Sequence, residues 1–118
     1  MNSQPVEYPI EISVQELSAW TNNADQRPGG GLTVLDVRED LEIQTAALAD
    51  YVHIPLMDVP ARFGELPNDH ALVVLCHHGM RSAQAVGFLR EKGFDNAINL
   101  SGGIDAWSRQ IDPSIAVY

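Results

Sequence analysis

The residue pattern predicts an α/β fold with a mainly parallel sheet, and two observations carry that expectation. Short aliphatic and β-branched runs, Leu32–Val37, Leu72–Leu75 and Ala97–Leu100, alternate with segments of helical spacing, the order from which parallel sheets are built. The chain has 118 residues, and domains commonly hold ~100–200. A chain of this size buries roughly two-thirds of the surface it exposes when unfolded. We therefore expect one domain over 1–118, with its core at about residues 12–107.

A lead containing Pro5 and Pro9 comes first. Ser13-Val14-Gln15-Glu16 has the form of a capping box, and a helix over Val14–Thr21 follows, with Leu17 and Trp20 turned to the core. The segment 22–31, with Pro28 and three glycines, is a loop; it lacks the Lys-Ser/Thr ending of a phosphate cradle. After the strand Leu32–Val37, Glu39–Thr45 suits a short helix, and Val52–Ile54 a short strand closed by Pro55. Asp58 is placed to cap a helix over Val59–Phe63, and Pro67-Asn68-Asp69 makes a turn. The Leu72–Leu75 strand leads into a helix over Ser82–Lys92, with Ala85, Val86 and Leu89 inward and Gly93 as the stop. Ala97–Leu100 is the next strand, and Ile104–Gln110 the last helix, with Trp107 inward. The tail 111–118 either covers the sheet or extends away from it.

The formal net charge of -9 argues against nucleic acid or an anionic membrane as partner, since either would want a basic face. A single cysteine excludes an internal disulfide and fits a reducing compartment. Met1–Ile12 has no basic, then apolar, leader pattern, and no window reaches the ~18 apolar residues of a membrane span. A cytoplasmic location is the expectation.

The chemistry concentrates where Leu75 runs into Cys76-His77-His78-Gly79-Met80-Arg81. A strand-to-helix loop there turns successive N–H groups onto one side chain, and the helix N-terminus adds partial positive charge. Both favour a thiolate, so Cys76 is the candidate nucleophile, exposed and of lowered pKa. Gly79 would let the loop curl, and His77 and His78 would rim it. Arg81 can present its fork of donors to a sulfonate, sulfate or phosphate, or pair with an acid and brace the loop; both roles stay open. Adjacent histidines rarely converge on one tetrahedral ion, so no metal is expected. His53 and His70 are read as structural. Asp36 ties loops together through backbone and Arg38, with a general-acid role the alternative. Glu39, Asp40 and Glu42 read as a solvated acidic face.

Four segments in order resemble the rhodanese family of sulfurtransferases in its single-domain form: Leu35–Glu39, His53–Leu56, the Cys76–Arg81 loop and Leu100–Trp107. The resemblance implies a three-layer domain with a central, mostly parallel five-stranded sheet and helices on both faces. It implies that Cys76 accepts sulfur, with His77, His78, Gly79, Met80 and Arg81 forming the cradle. The implied activity moves a sulfane sulfur from thiosulfate or a related small anionic donor, through a persulfide on Cys76, to cyanide, a thiol or a protein cysteine. No cofactor is needed, because the cysteine carries the sulfur. The chain departs from the family at Ile43–Tyr51, where many members carry Gly-His-Ile-x-Gly-Ala. Two alternatives remain. Cysteine phosphatases and arsenate reductases also set a cysteine before an arginine, but with five intervening residues where this loop has four. A non-catalytic sulfur carrier or partner-binding module is the other.

Overall fold

A computed structural model describes residues 6–118 of the chain; the start of the lead, with Pro5, lies outside the described residues. The strands are β1 (Glu11–Ile12), β2 (Leu32–Asp36), β3 (Val52–His53), β4 (Ala71–Leu75) and β5 (Ala97–Leu100). The helices are α1 (Val14–Asn22), α2 (Asp40–Thr45), α3 (Val59–Arg62), α4 (Met80–Glu91) and α5 (Gly103–Gln110). They form one five-stranded sheet in the order β1-β5-β4-β2-β3, and every pairing is parallel. β4 lies in the middle, and all its residues are buried.

The strand period of two divides the core. Val73 and Leu75 join Leu17, Trp20, Ile98, Leu100 and Trp107 on the face covered by α1 and α5. Leu72, Val74 and Cys76 join Leu35, Val37, Ile54, Val86 and Leu89 on the face covered by α4. Burying one such leucine or valine stabilises the fold by ~1.5–3 kcal/mol. The same alternation therefore aims Cys76 at α4. That placement decides the site.

β1 has no signature in the residue pattern, being only two residues long. It forms because the Asn99 and Ser101 amides donate to the Ile10 and Ile12 carbonyls, each at 2.8 Å. The Ser13 capping box is present, with Glu16 reciprocating. Asp58 does not cap α3 with its side chain; the 3-10 turn Leu56–Asp58 runs straight into that helix in helical backbone geometry. α4 starts at Met80 rather than Ser82 because Gly79, at φ 115°, makes the sharp entry two residues early. Met80 and Arg81 thus belong to the first turn of α4, not to the loop. Of the divergent Ile43–Tyr51 segment, residues 43–45 end α2; the remainder has no regular structure, yet it buries Ala46 and Leu48 in the core.

Candidate active site

Parallel strands leave their carboxyl ends on one edge of the sheet, where ligands of such folds bind. β4 and β2 end side by side there, with Asp36 in register with Leu75. The chain turns sharply after Cys76, and two groups of contacts fix that turn. Outside, the Ile104 and Asp105 amides at the start of α5 donate to the Cys76 and His77 carbonyls, at 2.9 and 3.1 Å. Inside, the Gly79 amide donates to Cys76 Sγ at 3.0 Å. The Cys76 and His77 carbonyls face α5, and the Gly79 amide faces the sulfur.

This arrangement explains the paired glycines before α5. A Cβ on Gly103 would come within 2.5 Å of both loop carbonyls, 2.4 Å from that of Cys76 and 2.5 Å from that of His77. Only a residue without a side chain permits the approach.

Ser82, in the first turn of α4, is fully buried and places Oγ 3.4 Å from Sγ and 2.5 Å from Asn99 Oδ1. Asn99 Nδ2 faces two acceptors, Glu11 Oε1 at 3.1 Å and the Gly79 carbonyl at 3.2 Å. That fixes the amide orientation, so Asn99 presents its oxygen to Ser82. A hydroxyl has one proton. That proton has two acceptors within reach, Asn99 Oδ1 and Cys76 Sγ, and serves one at a time. Burial pushes the thiol pKa up, but the Ser82 hydroxyl and the amides of Ser82, Gly79 and Arg81 outweigh it, leaving it lowered. Sequence reasoning missed Ser82 and Asn99. Strand parity was the available signal, since Asn99 lies two residues from Ala97 and shares its face.

The exposed thiolate expected from sequence is corrected: Cys76 is only 1% exposed. It sits on the floor of the loop, within the cluster of Leu35, Val37 and Ile54. Met80, expected in the cradle, points to solvent at 82% exposure.

Around this floor runs a network of charge. Arg38 is fully buried; Asp36 Oδ2 accepts from its Nη2 at 2.8 Å, and the Ala46 carbonyl from the same nitrogen at 2.7 Å. Asp36 also accepts from the Arg38 amide at 3.0 Å, closing the turn after β2. His53 Nε2 lies 2.6 Å from the Arg38 carbonyl, whereas His70, at the opposite end of β4 from Cys76, has Nε2 2.7 Å from Thr33 Oγ1. Arg81 turns both terminal nitrogens to Glu42, at 2.6 and 2.8 Å. Glu42 is therefore no part of a solvated face. Its carboxyl is held down to about 2, chiefly by the Arg81 hydrogen bonds. The Tyr118 hydroxyl accepts from Arg38 Nη1 at 2.8 Å and donates to Glu42 Oε2 at 2.7 Å. Its ring stacks on His77 with centroids 4.0 Å apart and planes 5° from parallel. The tail thus folds back over the loop.

His78 is on the rim, its ring 4.0 Å from that of His77. His77, His78 and Asp105 bring ligand atoms within 4.8 Å of one another and could hold a divalent ion. Asp105, however, already accepts from Arg109 Nε at 3.1 Å.

The profile of the rhodanese-like domain family matches residues 13–110. The chain belongs to that family. This rhodanese-like domain is 36% identical over 83 residues to a sulfurtransferase of Allochromatium vinosum, covering 70% of the chain and 78% of that relative. It is 32% identical over 109 residues to the probable adenylyltransferase/sulfurtransferase MoeZ of Mycobacterium tuberculosis, covering 91% of the chain but only 26% of that longer protein. Among solved structures, a rhodanese-related protein of Thermoplasma volcanium superposes with a TM-score of 0.77 at 30% identity, over 93% of this chain and all of that one (100%). Sulfur transfer is the activity named for the first two. Among the described residues, no helix is long and apolar enough to cross a membrane.

Proposed function

We propose that the domain is a sulfurtransferase that carries a sulfane sulfur as a persulfide on Cys76. The observation that supports this best is the convergence of the Gly79 amide and the Ser82 hydroxyl on Sγ. Such donors stabilise first the thiolate and then the terminal sulfur bound to it. In the first half-reaction the thiolate attacks the outer sulfur of a small donor, thiosulfate or a related compound. The donor's S–S bond breaks, and sulfite leaves with the bonding pair. In the second, a thiophilic acceptor such as cyanide, a thiol or a protein cysteine attacks the terminal sulfur and releases the thiolate. The two half-reactions give ping-pong kinetics. The free thiol suits a reducing compartment such as the cytoplasm.

The test is intact-mass measurement after incubation with thiosulfate. The expected product is one added sulfur that reductant removes, and Cys76→Ser neither gains it nor makes thiocyanate from thiosulfate and cyanide. Thiocyanate from the serine variant would end this reading. The low exposure of Cys76 favours a second reading, a sulfur carrier that loads but does not turn over. Persulfide that forms at Cys76 and is not accelerated by any acceptor would select it.

A further inference from the structure

Both guanidinium groups near the sulfur are already engaged. Arg38 is buried against Asp36 and backbone carbonyls. Arg81 lies at the first turn of α4, where an anionic donor would meet it, yet its fork is closed on both oxygens of Glu42. Three further hydrogen bonds hold Glu42 and its closing partner in place. The Glu39 amide donates to Oε1 at 3.1 Å, the Tyr118 hydroxyl donates to Oε2 at 2.7 Å, and Arg38 Nη1 donates to that hydroxyl at 2.8 Å. The carboxylate is therefore oriented before Arg81 reaches it, which favours a bidentate pair over a loose one. Asp105 adds a second carboxylate beside His78, 3.9 Å from its Nδ1. No free cation is left at the rim, among the described residues, to balance a doubly charged donor.

We propose that Glu42 and Tyr118 form a latch that occupies the donor fork of Arg81 beside the cysteine loop and so selects persulfides borne by small thiols, carrying at most one net negative charge, over dianionic thiosulfate. The inference rests on the sulfur-transfer reading above. The chemistry balances without a further reactant. The Cys76 thiolate bonds to the terminal sulfur of R–S–SH, the bond from that sulfur to R–S breaks, and RS⁻ leaves with the electron pair while the proton stays on the new persulfide. Glu42 and Tyr118 touch neither sulfur; they act through Arg81 as positioning residues.

The experiment compares thiosulfate with cysteine persulfide as donors, following sulfur loading of Cys76 by mass and kcat and KM with cyanide as acceptor. The wild-type protein is expected to prefer cysteine persulfide. Glu42→Gln keeps the shape and removes the charge that holds Arg81. It should raise the ratio of kcat/KM for thiosulfate to that for cysteine persulfide by about tenfold, with the change in the KM for thiosulfate rather than in kcat. Tyr118→Phe, which removes one hydroxyl from an exposed edge, should move the ratio the same way by a smaller factor. A ratio unchanged in both variants, or a wild-type preference for thiosulfate, overturns the latch and leaves the persulfide mechanism standing. Failure of Cys76 to take sulfur from either donor overturns the mechanism itself.

Discussion

At Cys76 burial and hydrogen bonding oppose each other, and the balance sets the reactivity of the sulfur. Burial favours the neutral thiol, while the Ser82 hydroxyl and three amides favour the thiolate and prevail. A hydrogen bond to a charged group is worth ~1.5–3 kcal/mol, enough for one side chain to matter. Ser82→Ala removes the hydroxyl and leaves Asn99 Oδ1 without its donor. Alkylation of Cys76 at pH 7 should slow by about tenfold, since ~1.4 kcal/mol is a factor of ten, and its pH midpoint should rise. A midpoint that stays in place would show that the amides alone hold the thiolate. Asp36 and Arg38 contribute in a different way. With Arg38 wholly buried, the pair fixes the turn beside the loop, and removing one partner of such a pair costs ~3–5 kcal/mol.

At the scale of elements, the loop is shaped from outside by α5 as much as from within by its own sequence. The Ile104 and Asp105 amides of α5 hold the Cys76 and His77 carbonyls, which fixes the turn that brings the Gly79 amide to the sulfur. Gly103→Ala would put a methyl 2.4 Å from the Cys76 carbonyl, so α5 or the loop must move. Overpacking of this kind costs ~1–3 kcal/mol, and the thermal midpoint should fall by roughly 5 °C or more. Alkylation of Cys76 should slow in the same variant because its donors shift. An unaltered melting curve would mean that the contact is slack. α2 acts on the loop from the other side. Its Glu42 belongs to the helix's own capping box with Glu39, yet it also clamps Arg81, so a local cap and a distant ion pair share one carboxylate.

For the whole molecule, that shared carboxylate couples stability to acid. The folded Glu42 titrates at about 2 against 4.5 for the free group. A depressed pKa contributes stability that is present above 4.5 and lost as pH falls through about 2. The pair is partly exposed, so solvent screening limits the term to ~1 kcal/mol or less. Denaturant titrations should show wild type more stable than Glu42→Gln at pH 6, with the gap closing between pH 4.5 and 2; a gap independent of pH would assign Glu42 a purely steric role. Much of the architecture was legible beforehand. Aliphatic runs marked β2, β4 and β5, because a buried strand needs continuous apolar residues, and Ser13 and Glu16 marked the start of α1. β1 and β3 were faint or silent, since two residues carry no period and pair only through neighbours supplied by the rest of the sheet. Cys76 and Gly79 stood out because the thiol falls where an aliphatic strand runs into a helix, with a glycine and an arginine close behind it. Asn99, Glu42 and Tyr118 did not, for they lie 23, 34 and 42 residues from Cys76 along the chain. The sequence by itself determined the alternation of layers and, through the strand period of two, the face toward which the cysteine points. Only the tertiary structure decided how exposed the sulfur is and whether Arg81 is free, because both depend on which distant carboxylate, amide and ring the packed elements bring against the loop.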